Sequence, residues 1–139
     1  DVTVQAKILD LIRDIQKRNH LTVIYITHDL GVVARVADKV MVMYAGKLVE
    51  KGTADDIFYE PAHPYTMGLL ASIPTLRDDG GRLKAIEGMV PSLYDLPTGC
   101  RFHPRCPYAT EQCRVNCPEL REVEPGHYTR CFRDSFGKE

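Results

Sequence analysis

The sequence of 139 residues lacks several features that would each define a class of protein. It has no apolar run near the ~20 residues of a membrane-spanning helix, so any link to a membrane is expected to go through a partner. Its formal net charge of −1 creates no field that would attract nucleic acid or an anionic membrane surface. The sequence has no internal repeat, and its 44% hydrophobic and 27% charged residues are typical of a globular protein.

A phosphate-binding loop is also absent. No Gly-x-x-x-x-Gly-Lys-Ser/Thr motif occurs, and Gly46-Lys47 and Gly137-Lys138 lack both the preceding glycine and the following hydroxyl. Since the backbone N–H groups of such a loop cradle phosphates, the chain alone is predicted neither to bind ATP tightly nor to hydrolyse it. The sequence has no initiator methionine and no signal pattern, so we expect it to be part of a longer protein.

Patterns of helix and strand alternate along the first 60 or so residues. Apolar residues at helical spacing predict a helix from Val4 to about Lys17, ended by Asn19-His20. Leu21–Thr27 is an uncharged, β-branched run typical of a central parallel strand buried on both faces. A helix followed by such a strand indicates helices packed on a sheet, so the predicted fold class is α/β.

Four more elements are predicted before residue 74: a helix at Leu30–Ala37, a β-hairpin of Lys39–Tyr44 and Lys47–Lys51, a helix at Ala54–Tyr59 and a helix at Pro64–Ser72. The hairpin is indicated by the two-residue loop Ala45-Gly46. Thr53 is a candidate N-cap, and Pro64 suits a first helical position. From Pro74 onward prolines are scattered and periodicity is weak, and Asp78–Gly81 has the composition of a flexible linker. We therefore predict two domains, residues 1–73 and 74–139.

All five cysteines lie in the second region, as Cys100-x5-Cys106-x6-Cys113-x3-Cys117-x13-Cys131. Their odd number suits disulfides poorly, and a chain without a secretory signal is expected in a reducing compartment. Four thiolates can hold either zinc or an iron–sulfur cluster. Zinc sites usually contain shorter Cys-x2–4-Cys spacings, which favours the bulkier cluster without deciding between the two. Unliganded thiols are a third, less favoured alternative, and His103 and His127 are expected to be surface or packing residues.

His28 is the strongest candidate functional residue of the first region. It directly follows the predicted buried strand, and ligands of α/β sheets collect at the carboxyl ends of strands. An imidazole there can donate a hydrogen bond to a phosphate oxygen. On position alone, a polar residue at a strand–helix junction, with Asp29 as the helix N-cap, is the favoured alternative.

Three segments, Asp1–Ala6, Thr22–Leu30 and Met43–Gly52, resemble successive parts of ABC-transporter ATPase domains in order and spacing. The resemblance implies that Asp1 is the D-loop aspartate, at the dimer interface near the opposite ATP site. It also implies that His28 is the switch histidine, which touches the γ-phosphate and helps to position the attacking water. The functional role of His28 is then favoured over the alternative. ATP and Mg²⁺ would be bound by the full-length parent, since the family's Asp-Glu pair would precede Asp1 and its signature sequence is absent.

The cysteine-rich region resembles the C-terminal extension of dipeptide and oligopeptide importer ATPases. Asp95–Ala109, Pro125-Gly126-His127 and Cys131 carry this resemblance, and His63–Thr66 is similar to the segment that precedes the extension. Some members bind a [4Fe–4S] cluster through four cysteines, which correspond here to Cys100, Cys106, Cys113 and Cys131. Cys117 falls where the family usually has another residue, which implies a spare thiol that is able to replace Cys113. Zinc is the alternative metal.

The resemblance further implies a second ABC ATPase subunit and transmembrane permease subunits as partners. The chain would then lie at the cytoplasmic face of the cell membrane, as a peripheral part of a peptide importer. A different class of function is a stand-alone binding module that is cross-linked by zinc or an iron–sulfur cluster and is not part of an ATPase. Interleaved acidic residues cancel most of the field of its arginines, so no nucleic acid is expected as a partner.

Overall fold

The computed structural model describes residues 1–74 and 85–136. The chain forms two compact units, Asp1–Asp38 and Lys39–Glu139. The predicted linker at Asp78–Gly81 lies outside the described residues. No helix in the described ranges is both long enough and apolar enough to cross a membrane.

The first unit contains two helices, α1 (Val2–Asn19) and α2 (Leu30–Val36), both predicted from the sequence. Asp1 caps α1, because its carboxylate accepts a hydrogen bond from Thr3 N at 3.0 Å. The helix ends at His20, whose left-handed backbone (φ 52°) stops further α-helical bonding. Asp29 caps α2 as predicted.

The predicted strand at Leu21–Thr27 is wrong: the segment contains no strand. Ile24 and Ile26 are 85% and 97% exposed, although a strand buried on both faces would cover both. The physical reason is the lack of neighbours. A central parallel strand needs a strand on each side, and every strand pair among the described residues is antiparallel and lies between residues 39 and 129. The fold therefore combines helices with an antiparallel sheet.

The second unit is built on a four-stranded sheet of β1 (Lys39–Tyr44), β2 (Lys47–Thr53), β3 (Arg121–Glu124) and β4 (His127–Thr129), in the order β1-β2-β4-β3. The predicted hairpin is confirmed as β1 and β2. Ala45 and Gly46 both have positive φ (45° and 77°), as a type I′ turn requires. Burial alternates along β1, with Val40, Val42 and Tyr44 facing inward.

Two helices follow β2, as predicted. Helix α3 (Ala54–Tyr59) begins at a capping box, in which Thr53 and Asp56 bond each other's backbone N–H. Hydrogen bonds from the Thr53 backbone and side chain lower the pKa of Asp56. Helix α4 (Pro64–Ala71) has Pro64 at its first position and His63 as its N-cap.

The cysteine-rich region contains short elements that periodicity did not reveal: a 3₁₀ turn at His103–Arg105, helix α5 (Glu111–Val115), and strands β3 and β4. Each has five residues or fewer, too few to show a period. Strand β4 pairs with β2, so one sheet joins residues on both sides of the predicted boundary at residue 74. That domain boundary stays a prediction.

Candidate metal centre

Four of the five cysteines line one small cavity, namely Cys100, Cys106, Cys113 and Cys131. They are the four that the sequence resemblance singled out. Cys117 is exposed and does not line this cavity. It lines instead a second pocket beside Cys100, where Lys47 Nζ is 3.5 Å from its sulfur. Cys100 lines both pockets, whereas Cys106, Cys113 and Cys131 line only the first and Cys117 lines only the second.

Backbone hydrogen bonds bring three of these cysteines together, namely Cys100, Cys106 and Cys113. Cys100 N donates to Cys113 O at 2.8 Å, which ties the start of the loop to helix α5. His103 N donates to Cys100 O at 3.0 Å, and Cys106 N donates to His103 O at 3.3 Å. These two bonds fold residues 100–106 back on themselves, so Cys100 and Cys106 reach the same cavity despite five intervening residues.

Gly99 permits this close approach. Its φ is +70°, and a Cβ built on it would lie 2.7 Å from the carbonyl carbon of Arg114, closer than van der Waals contact permits. We expect Gly99→Ala to destabilise the second unit by about 1–3 kcal/mol, from backbone strain and the clash together. Chemical denaturation measures this.

Gly126→Ala is the matched control for that substitution. Gly126 also has a positive φ (+81°), but nothing lies within 4 Å of the position that an added Cβ would occupy. The Gly126→Ala variant should therefore show the backbone strain of a positive φ without a steric clash of the added Cβ. Equal destabilisation by the two variants would contradict a specific role for close packing at Gly99.

Burial dominates the electrostatics of the cavity thiols. It raises the pKa of Cys100, Cys106 and Cys131, and that of Cys106 reaches about 11. Hydrogen bonds from backbone N–H groups oppose this rise, and repulsion between neighbouring thiolates adds to it. Arg121 and Arg133 lower the pKa of Cys131 in part, and a bound metal would supply further positive charge to hold several thiolates together.

Two histidines also line the cavity, but hydrogen bonds already engage them. His63 Nδ1 accepts from Tyr65 N at 3.0 Å as the cap of α4. Burial lowers the pKa of His63 to about 4, so the ring is neutral at pH 7. His103 Nδ1 lies 2.9 Å from Cys100 O. These contacts leave the cysteines as the favoured metal ligands.

The four cysteines are suitable ligands for a metal, but their side chains are not arranged as they would be around a bound metal ion. Four cysteines converge, and the described residues that line the cavity include no Asp or Glu. The cavity measures about 20 Å³, enough for roughly one water. Within the described ranges, no three or more His, Cys, Asp or Glu side chains are grouped closely enough to hold a metal ion. A tetrahedral zinc would need sulfurs only about 4 Å apart, so the structure contains no preformed zinc site there.

Four arginines of the cysteine-rich region donate to backbone carbonyls, of which all but that of Leu48 lie outside the helices and strands. The acceptors are the carbonyls of Ala45 for Arg101, Ile86 and Glu87 for Arg105, Cys131 and Arg133 for Arg121, and Leu48 and Pro118 for Arg130. A guanidinium used in this way holds the loops in place. This structural use weakens the interpretation of the region as a nucleic-acid-binding module.

The two candidate ATPase residues, Asp1 and His28, both lie in the first unit. Asp1 serves there as the N-cap of α1. His28 is exposed at a bend just before Asp29, the N-cap of α2. The alternative to a functional role of His28 predicted that Asp29 caps the following helix, and this cap is present. The roles of Asp1 and His28 at a nucleotide stay predictions.

Sequence reasoning missed one buried ionisable pair, Glu50 and His127. His127 Nε2 lies 2.7 Å from Glu50 Oε1, and both side chains are almost completely buried. His127 is a packing residue as expected, but its partner is 77 positions away. One signal in the sequence could have indicated the pair. Glu50 is a charged residue that directly follows the apolar Val49 in a predicted strand, and in the structure both are buried.

Comparison with known proteins gives consistent matches. Residues 49–113 match the family described as "Oligopeptide/dipeptide transporter, C-terminal region". The chain is 52% identical over 123 residues to the dipeptide transport ATP-binding protein DppD of Haemophilus influenzae, covering 88% of this chain and 37% of the relative. It is 50% identical over 132 residues to the oligopeptide transport ATP-binding protein AppD of Bacillus subtilis, covering 95% and 40%.

A third relative is the oligopeptide transport ATP-binding protein OppD of Salmonella typhimurium, 49% identical over 133 residues, covering 96% of this chain and 39% of the relative. The chain thus spans about two fifths of the length of the curated relatives it matches. Identity near one half over most of the chain, together with the family match, shows that the chain belongs to the ATP-binding proteins of peptide ABC transporters and corresponds to a C-terminal part of them.

Proposed function

We propose that this chain is part of the ATP-hydrolysing subunit that energises the import of peptides through an ABC transporter. The observation that carries the proposal is the identity of 49–52% to peptide-transport ATP-binding proteins across 88–96% of the chain. A second ATPase subunit and transmembrane permease subunits would be its partners, which would hold it at the cytoplasmic face of the membrane. The substrate would contact those membrane partners, so this chain need not touch peptide.

His28 and Asp1 would act at the two ATP sites of the paired subunits. The exposed imidazole of His28 is free to donate a hydrogen bond to a γ-phosphate, and Asp29 fixes the backbone beside it by capping α2. Phosphoryl transfer depends mainly on positioning and charge stabilisation, which a single well-placed hydrogen bond can supply. Because the phosphate-binding loop is absent, the 139-residue chain alone is proposed to be inactive.

His28→Ala tests the ATPase role in the longer protein that contains this sequence. We expect kcat for ATP hydrolysis to fall by about a hundredfold, since a group that positions the attacking water acts in the transition state. The affinity for ATP should change much less. The matched control is His20→Asn, because His20 is an exposed histidine at the end of α1 and asparagine tolerates its left-handed backbone.

Normal turnover in His28→Ala would contradict the proposed role of His28. An equal loss in His20→Asn would indicate a general effect on folding. The isolated chain provides a second test, in which a fluorescent ATP analogue that bound at micromolar concentration and was released by ATP would contradict its proposed inactivity.

We also propose that Cys100, Cys106, Cys113 and Cys131 hold a [4Fe–4S] cluster, with zinc as the alternative. The cavity that these four cysteines share, and the hydrogen bonds that already engage its two histidines, support this proposal. The bound group would supply positive charge and a cross-link between four points of a region that has little regular structure. Analysis of anaerobically purified protein distinguishes the metals: about four irons with acid-labile sulfide indicate the cluster, and one zinc without iron indicates the alternative.

A further inference from the structure

Glu50 and His127 form a buried pair that neither the proposed ATPase role nor the proposed cluster uses. Their exposed fractions are 0% and 3%. Glu50 Oε1 lies 2.7 Å from His127 Nε2 and also accepts a hydrogen bond from Ala62 N at 2.6 Å. The other oxygen, Oε2, is buried and has no partner in the part of the chain that the structure describes. Burial of an ionisable pair costs free energy unless hydrogen bonds compensate for the lost solvation. We therefore expect this pair to have a specific structural role.

The pair lies where the sheet is weakest. Strand β4 has only three residues, and its pairing with β2 is limited to Glu50–Thr129 and Lys51–Tyr128, extended by one backbone hydrogen bond from Arg130 N to Val49 O. A pairing of two residues is too short to fix its own register. Side chains supply the rest, because Glu50 holds His127 while Thr129 Oγ1 donates to Ala62 O at 2.8 Å. Ala62 thus binds both strands, through its N–H to β2 and through its carbonyl to β4.

Cys131 follows β4 after a single residue. That residue, Arg130, continues the alignment, because its N–H donates to Val49 O at 2.7 Å and its side chain donates to Leu48 O at 2.8 Å. A slip of one residue between β4 and β2 would move Cys131 by about 3.3 Å and turn its side chain to the opposite face. The place of Cys131 in the cavity therefore depends on the register of β4.

We propose that Glu50 and His127 are positioning residues for the cysteine cavity. Their buried contact sets the register of β4 on β2, and this register places Cys131 with Cys100, Cys106 and Cys113. Only the consequence for metal binding rests on the proposed function. The placement of Cys131 is a property of the chain itself.

Site-resolved alkylation tests the placement in the full chain without metal. We expect Glu50→Ala and His127→Ala each to raise the alkylation rate of Cys131 by about tenfold or more, while Cys100 and Cys106 change by less than about twofold. The double variant should resemble the single variants, because either substitution already breaks the contact. The control is Glu124→Ala, an exposed carboxylate on β3. Hydrogen exchange of the β1–β2 amides reports whether the hairpin persists.

Equal acceleration at all the cavity cysteines, with loss of hairpin protection, would overturn the proposal, because it would indicate general unfolding. Unchanged labelling of Cys131 would overturn it as well. A second measurement, metal retained per chain, separates this inference from the proposed function. Wild-type protein without metal, but with selective exposure of Cys131 in the variants, contradicts the cluster and supports the positioning role. Equal metal content in wild type and variants, with unchanged labelling of Cys131, supports the cluster and contradicts the positioning role.

Discussion

Serine at any one of Cys100, Cys106, Cys113 or Cys131 is expected to abolish stoichiometric metal binding. In the proposed site, each substitution would remove one of four ligands and replace a soft thiolate with a hydroxyl, which is a poor ligand for iron–sulfur clusters and for zinc. We expect the metal retained per chain to fall by about tenfold or more after gel filtration, measured by elemental analysis and, for a cluster, by visible absorption.

Cys117→Ser is the matched control, since Cys117 lies outside the cavity that the other four line. It should retain the full metal content. The opposite pattern, with metal lost in Cys117→Ser and kept in Cys113→Ser, would identify Cys117 as the ligand in place of Cys113. Metal retention in all five variants would contradict the proposed site.

Phe102→Ala is expected to have the largest effect on stability. Phe102 lies between two cavity cysteines in sequence, yet it is only 2% exposed. Its ring packs against Tyr44 of β1 and Tyr65 of α4, with centroids 5.1 and 5.4 Å away. Loss of a fully buried phenylalanine costs about 3–5 kcal/mol, and the aromatic pairs account for part of that. Urea unfolding followed by circular dichroism measures the change.

The matched control is Tyr94→Ala, since Tyr94 is an aromatic residue of the same region that is fully exposed. Its effect should stay within about 0.5 kcal/mol. A small effect of Phe102→Ala would mean that the cysteine-rich region contributes little to the core of the second unit. The expected large effect would show that the region is packed against the hairpin and α4 independently of any metal, provided that the measurement is made on metal-free protein.

The sequence predicted the elements whose signals are local. The hairpin follows from the two-residue loop Ala45-Gly46, and α3 from the cap at Thr53; both are confirmed. The family was also identified from the sequence and is confirmed by the comparisons. The roles of Asp1 and His28 at ATP, and the choice of four cysteines as metal ligands, rest on the family resemblance, and they stay predictions.

Other features needed the tertiary structure, because they depend on contacts between distant residues. Leu21–Thr27 has the composition of a buried strand, but composition does not supply the neighbouring strands that such a segment needs. Strand β4 is too short to be recognised and exists through its pairing with β2. The contact of Glu50 with His127 joins residues 77 positions apart, which no local pattern encodes.

The sequence by itself determined which residues are cysteines, which family the chain resembles, and where its local turns and caps begin. Only the tertiary structure decided which thiols share a cavity. Cys113 and Cys117 are four positions apart and equivalent by spacing, yet one lines the cavity and the other lies at the surface beside Lys47. The physical reason is that Cys113 is tied through its carbonyl to Cys100 N, whereas Cys117 follows the end of α5. Long-range packing, and not sequence spacing, separates them.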